Sequence, residues 1–346
     1  ILGRVLAQRG VRDDKVEQFL RPRLAELTDP FEIPEIDLAV ERILNAVDSE
    51  ERVCVYGDYD VDGVSSTAVL FETLEAYGLK PEAFIPRRSS EGYGLSEGGL
   101  ERCLSECGEP GLMISVDCGT VSNDAIAMLK SKGIDTVVVD HHELGPNGRP
   151  NCVALVNPKA SGHSLEYLCA AGVVFKLAHA LLKQRPLEGF DLKSVLDLVA
   201  VATISDIVPL VDENRLLVRH GLRKLENSAR PGLRALLKLT GTEGRLSSAD
   251  IGFRIGPRLN AAGRMDQPEK AFAILRADCS NKALDLADEL EGFNRNRQQL
   301  EQAIFSEAMA MLKDSSNDPV IVVGSRSWHA GVVGIVASRL MRLYHK

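Results

Sequence analysis

The sequence predicts an α/β protein: a doubly wound, mostly parallel sheet with a helical lobe, a long connecting helix and the start of a second α/β domain. Three observations carry that prediction. From Arg52 to Val139, short apolar runs alternate with helix-length amphipathic stretches, the pattern of repeated βαβ units. The run Val137-Val138-Val139 is continuous rather than alternating, as strands covered on both faces require. Three of the predicted strands end in acidic or imidazole side chains, at the sheet edge where open α/β folds bind ligands.

Residues 1–50 read as a mixed helical segment broken by Pro22, Pro30 and Pro34. The main domain is expected over 51–280, its α/β core reaching to about 160 and a helical lobe following. Strands are predicted at Arg52–Tyr56, Ala83–Pro86, Leu112–Val116, Thr136–Val139 and the short run Cys152–Val156. Helices are predicted between them at Ser65–Tyr77, Ser96–Cys107 and Ser122–Lys132. In the lobe, Leu168–Lys183, Leu192–Thr203 and Leu216–Leu225 show apolar spacing near 3.6. Asn281–Lys313 is longer, with Leu286, Leu290, Phe293, Leu300, Ile304 and Leu312 on one stripe and charged flanks, and is expected to form a connecting helix over 281–316. A strand at Pro319–Val323 and a helix at Gly331–Tyr344 follow. A βα piece of about 28 residues cannot build its own core, so 317–346 reads as the cut start of a further domain.

The balance of 45% hydrophobic and 26% charged residues excludes a disordered chain. With 41 Lys and Arg against 49 Asp and Glu the net charge is −8. That excludes a surface coated in basic residues but not a local basic groove. Seven scattered cysteines without a C-x-x-C pair read as reduced thiols of a cytoplasmic protein, not as a disulfide framework or zinc knuckle. No apolar run approaches the roughly 18 residues of a membrane span.

The first strand leads into Gly57-Asp58-Tyr59-Asp60-Val61-Asp62-Gly63, the third into Asp117, and the fourth into Asp140-His141-His142. Asp60 and Asp62, two apart in a turn, can share a site that Asp117 and His141 complete from the neighbouring strand ends. Carboxylates and imidazole without thiolate suit Mn²⁺ or Mg²⁺. D-x-D-x-D-G also opens a calcium-binding EF-hand loop. That loop needs a glutamate at its twelfth position, where this chain has Val69, and a helix before it, where this chain has a strand.

Phosphate-holding groups are expected at Gly256–Arg264, where Arg258, Asn260 and Arg264 stand among small residues, arginine being suited to bidentate phosphate contact. Arg87 and Arg88 follow a strand in the same way, and Tyr93 either stacks on a base or anchors a turn. Arg219–Lys238 carries six basic side chains against Glu226. It reads either as a solvated helix face or as the wall of a strand-binding groove.

Asp140-His141-His142, Asp60-Val61-Asp62 and Val116-Asp117 resemble the motifs of the DHH phosphoesterase superfamily. The chain is most similar to its bacterial single-strand-specific exonucleases. The likeness runs almost end to end, through Leu6–Gly10, Gly57–Gly63, Glu91–Leu95, Ser115–Gly119, Asp206–Leu210, Gly256–Arg264 and Trp328–Ile335. The resemblance implies two Mn²⁺ or Mg²⁺ ions held by Asp60, Asp62, Asp117, His141 and Asp206, with Asp117 bridging and Asp58 either a further ligand or an acid standing behind the ligands. His142 would stand beside the scissile phosphate and Asp140 would orient the histidines. The implied activity is metal-dependent hydrolysis of single-stranded DNA from the 5′ end to nucleoside 5′-monophosphates, in DNA repair and recombination. A single-strand-binding protein or a helicase would be the partner. A small-substrate phosphodiesterase or pyrophosphatase of the same superfamily, and a non-catalytic replication scaffold, are the alternative readings.

Overall fold

The computed structural model describes residues 1–242, 244–312 and 319–346. Five parallel strands, β1 (Val53–Tyr56), β2 (Glu82–Phe84), β3 (Leu112–Val116), β4 (Asp135–Val139) and β5 (Ala154–Val156), form one sheet in the order β2-β1-β3-β4-β5. Register is set by pairs such as Cys54 with Met113 and Ile114 with Val137. The side-chain period of two divides each strand between two cores. Val53, Val55, Ile114, Val137 and Val139 face the larger core, while Cys54, Tyr56, Met113 and Val138 face the smaller one. Helices cover both faces, which is why the strands carry no polar face of their own.

The smaller core is closed by the helices Glu97–Cys107 and Asn123–Ser131. The larger is closed by Ile36–Asp48, Val61–Ala76, Ala170–Gln184 and Leu196–Ser205. Ile36–Asp48 is strongly amphipathic, its buried stripe running through Ile36, Ala39, Val40, Ile43, Leu44 and Ala46. Leu196–Ser205 is mostly apolar around its circumference and correspondingly buried from Leu196 to Ile204.

The connecting helix spans Ser280–Met311; Lys313 and the positions to 316 lie outside the described residues. Its first half joins the main core through Ala283, Leu286, Ala287 and Leu290. Its second half packs Ile304, Ala308 and Leu312 against Val332, Val336 and Leu340 of the helix Ala330–Tyr344. The strand expected at Pro319–Val323 is absent: that stretch is irregular, with Val320 and Val322 largely exposed. A lone extended run gains nothing from its β-branched residues without a neighbouring strand to satisfy its amides. Gly256–Arg264 is a helix, entered through the π-helical turn Ile251–Ile255 with Pro257 in its first turn, where the missing amide costs nothing.

Arg230 corrects the reading of Arg219–Lys238 as a uniform groove wall. Its guanidinium points inward to Glu72 and Asp197, with Nη2 2.8 Å from Glu72 Oε2 and Nε 3.2 Å from Asp197 Oδ1. No described helix is long and apolar enough to cross a membrane.

Candidate metal centre

The strand order 2-1-3-4-5 reverses direction between β1 and β3, and the crevice beyond that point is where such sheets bind ligands. The first acidic loop leaves β1 there and Asp117 ends β3 beside it. Asp60 caps the helix Val61–Ala76, its Oδ1 accepting from the amides of Asp62 (2.9 Å) and Gly63 (3.1 Å). Asp62 lies in the first turn of the same helix. Its two oxygens accept from Ala170 (2.7 Å) and Ala171 (2.9 Å) at the start of Ala170–Gln184, where the helix dipole favours negative charge. Gly63 is required by close approach: a Cβ there would overlap the carbonyl of Asp58. Gly263 is under the same constraint against the carbonyl of Tyr59, so Gly256–Arg264 lies hard against the acidic loop. Asn260 uses that contact, its Oδ1 accepting from the Val61 amide at 3.2 Å.

Asp117 adopts φ +61°, an unfavourable region for most side chains but one aspartate tolerates. The turn aims its buried carboxylate across the crevice. His141 Nε2 stands 3.2 Å from Asp117 Oδ1, 3.7 Å from Asp62 Oδ2 and 3.8 Å from Asp206 Oδ2. Asp206 ends the helix Leu196–Ser205. Two groups of potential ligand atoms, Asp58–Asp60–Asp117 and Asp62–His141–Asp206, each lie within 4.8 Å of one another, and a third, Asp117–His141–His142, overlaps both. Asp117 joins the two groups through His141.

Both oxygens of buried Asp58 and Oδ1 of Asp117 lack a hydrogen-bond partner. Burial, then repulsion from neighbouring carboxylates, pushes Asp58 and Asp117 well above the usual carboxylate range. Burial also raises Asp62, with His141 opposing it. Burial and the charges of Asp62 and Asp60 raise Asp206 to about 8. Unpaired buried carboxylates are costly unless a cation compensates them, and an oxygen-rich donor set with one imidazole fits hard divalent ions.

Asp140 serves a different purpose. Its Oδ1 accepts from the His141 amide (2.7 Å), the His142 amide (3.3 Å) and His142 Nδ1 (2.7 Å), and its Oδ2 from the Thr120 amide (3.0 Å). Burial opposes ionisation, but the hydrogen bonds from His142 and Thr120 hold Asp140 well below the usual range. Burial lowers His142, yet Asp140's hydrogen bond and charge outweigh it and raise its pKa to about 8. His142 Nε2 meets the Tyr93 hydroxyl at 2.7 Å, and Tyr93 stands edge-on to Tyr59 and His142.

Among the sequence candidates for phosphate contact, Arg258 is ion-paired with Glu291 of the long helix at 2.7 Å. Arg87 is exposed at the start of the short helix Arg88–Glu91, its amide donating to Glu91. Arg264 donates to the Gly331 carbonyl at 2.9 Å. Together with Arg88, Arg339 and Arg342 it lines a cavity of about 470 Å³. Sequence reasoning missed Arg339 and Arg342, which lie on a helix remote in the chain and carry no motif. It also missed Asn157, whose Nδ2 donates to Thr120 Oγ1 and the His142 carbonyl, both at 2.9 Å. Its place just after β5 was the available signal.

Sheet order and acidic crevice together define a DHH-type domain, and residues 52–203 match the DHH family, N-terminal domain. Over its whole length the chain is 38% identical to the single-stranded-DNA-specific exonuclease RecJ of Bacillus subtilis strain 168 and 34% identical to that of Salmonella typhimurium strain LT2, spanning 44% and 62% of those proteins. A crystal structure of exonuclease RecJ bound to manganese superposes with TM-score 0.83 at 34% identity, covering 91% of this chain and 79% of that one. The chain belongs to the DHH family, and within it to the RecJ group.

Proposed function

We propose that this chain carries the catalytic core of a two-cation exonuclease that hydrolyses single-stranded DNA from its 5′ end to nucleoside 5′-monophosphates, acting in DNA repair and recombination in the cytoplasm. The observation that carries the reading is the convergence of Asp58, Asp60, Asp62, Asp117, His141 and Asp206 at one crevice, with buried oxygens left unpaired. The names of the relatives support the substrate, and the manganese-bound relative supports the cofactor. Asp58, Asp60 and Asp117 would hold one Mn²⁺ or Mg²⁺, and Asp62, His141 and Asp206 the other, with Asp117 shared. Such a pair of cations supplies neutralising charge at the phosphate and eases deprotonation of the attacking water.

The chain's own groups do the rest. Asp140 holds His142 in one orientation and favours its protonated form, so that Nε2 can present a proton to the phosphate. Tyr93 holds that nitrogen until substrate arrives, and its exposed ring stands ready to pack on the terminal base. Asn260 fixes the amide of Val61 and so the direction of Asp60 and Asp62. Arg88 and Arg264, with Arg339 and Arg342, would follow the phosphate backbone away from the crevice, and exposed Arg87, next to Arg88, would add a further contact. Arg258 supports this wall through Glu291. A single-strand-binding protein or a helicase is the expected partner that delivers the strand.

Asp140→Asn keeps the size of the side chain but removes the charge that sustains His142. Metal affinity or turnover is expected to fall about 10–100-fold, checked by calorimetric Mn²⁺ titration alongside turnover. The function is tested with end-labelled DNA and Mn²⁺. Expected are digestion of a long single strand but not a duplex, release of mononucleotides from the 5′ end, loss of activity with chelator, and binding that weakens steeply with salt. Activity confined to dinucleotides would establish a small-substrate phosphodiesterase instead. No activity with intact Mn²⁺ binding would favour a scaffold.

A further inference from the structure

Cys54, Cys103 and Cys107 converge at the end of the sheet opposite the acids. Cys54 is the second residue of β1, and Cys103 and Cys107, four residues apart, share one face of Glu97–Cys107. The sulfurs of Cys54 and Cys103 are 3.6 Å apart, all three sulfurs lie within 4.8 Å of one another, and none is in a disulfide. Met113, in register with Cys54 on β3, adds a fully buried thioether to the same apolar cluster. A cavity of about 60 Å³ lined by Arg52, Lys80, Glu82 and Cys107 opens beside them, enough for one ion or water and too small for an organic ligand.

We propose that Cys54, Cys103 and Cys107 form a binding site for one soft monovalent metal ion, Cu⁺. Three thiolates bonded to a central ion at about 2.3 Å stand about 4 Å apart, close to the spacing present. The three converging ligand atoms are all sulfur, and the Glu82 carboxylate beside Cys107 is held by Arg52 at 3.3 Å. Zinc in a structural site takes four ligands, whereas an all-thiolate set of three suits soft Cu⁺. Arg52, whose guanidinium meets the Cys107 carbonyl, and Lys80 at the cavity wall offset the thiolate charge. Cu⁺ binding would release the thiol protons to water. Asp58 is four positions after Cys54, two residues beyond the end of β1 and at most about 13 Å away at 3.3 Å per step, and the two sites share no ligand.

The reduced full chain is titrated anaerobically with Cu⁺ in the presence of a competing copper chelator. Retention of one ion per chain is expected, with a thiolate-to-copper absorption band. Peptide mapping should then show half-buried Cys107 protected from alkylation by copper, and exposed Cys279 unprotected. Cys107→Ser, at the half-buried end of the helix, should lose the ion, and Cys279→Ser should keep it. The proposal is overturned if the wild type retains no copper, if Cys107→Ser retains as much, or if Zn²⁺ displaces Cu⁺ under the same competition.

Discussion

Replacing Asp117 by asparagine or alanine is expected to reduce hydrolysis of single-stranded DNA to the level of the wild type in chelator. Its carboxylate is the one that reaches both groups of potential ligands, and no described residue is placed to substitute for it. The two replacements differ in stability. Asparagine tolerates the left-handed backbone at this position, whereas alanine pays roughly 1–2 kcal/mol for it. In metal-free protein, Asp117→Asn should therefore melt higher than the wild type, because one of several mutually repelling buried carboxylates has gone. The pH dependence gives the sign. Carboxyl groups raised in the folded state bind more protons folded than unfolded, so their stabilisation is lost as pH rises. For Asp206, raised to about 8 from an unfolded value of about 3.9, the window runs from about pH 4 to about pH 8. Mn²⁺ should abolish that decline in the wild type and leave much of it in Asp117→Asn, read by thermal melts across pH. A fully active Asp117→Ala protein would refute the assignment of this residue.

Arg230→Ala should be the most damaging change away from the crevice, costing about 3–5 kcal/mol. Arg230 is mostly buried between Glu72, on the helix Val61–Ala76, and Asp197, in the first turn of Leu196–Ser205. Removing it leaves two carboxylates without their shared cation, relieved in part by Arg276 near Glu72 and by Ser228 and the Leu198 amide on Asp197. A denaturant melt reads the loss. Affinity for single-stranded DNA at a temperature where the variant is folded should be unchanged, in contrast to Arg264→Ala at the basic cavity. A fall in DNA affinity with unchanged stability would return Arg230 to the groove wall.

The sheet and the acids were legible because both are written locally. Apolar runs of strand length, each followed by acids or histidines, need no knowledge of distant contacts, and β1, β3 and β4 fall within a residue of their expected bounds. Groups whose meaning depends on a remote partner were not legible. Arg230 looks like any basic surface residue until Glu72, far back in the chain, is seen beside it. Lys176, inside the helix Ala170–Gln184, is fully buried 2.6 Å from Glu213, a partner that nothing near it in the sequence announces. Gly256–Arg264 lacks a clear helical stripe because its small residues are chosen for close packing on Tyr59 rather than for an apolar face. Asp206 was indistinguishable from a helix cap without the family resemblance, since its ligand character comes from His141, brought to it only by folding.

The acidic loop has a further consequence through the amides that hold it. Asp62 rests on Ala170 and Ala171, Val61 on Asn260, and the Tyr59 carbonyl on Gly263. The crevice is therefore not portable with its sheet. A recombinant piece ending near residue 160 would keep all five strands and most of the acids while losing the scaffold that aims them. Chimeras or split versions should be cut outside 57–264, because within it the strand ends and the helical lobe are one machined part.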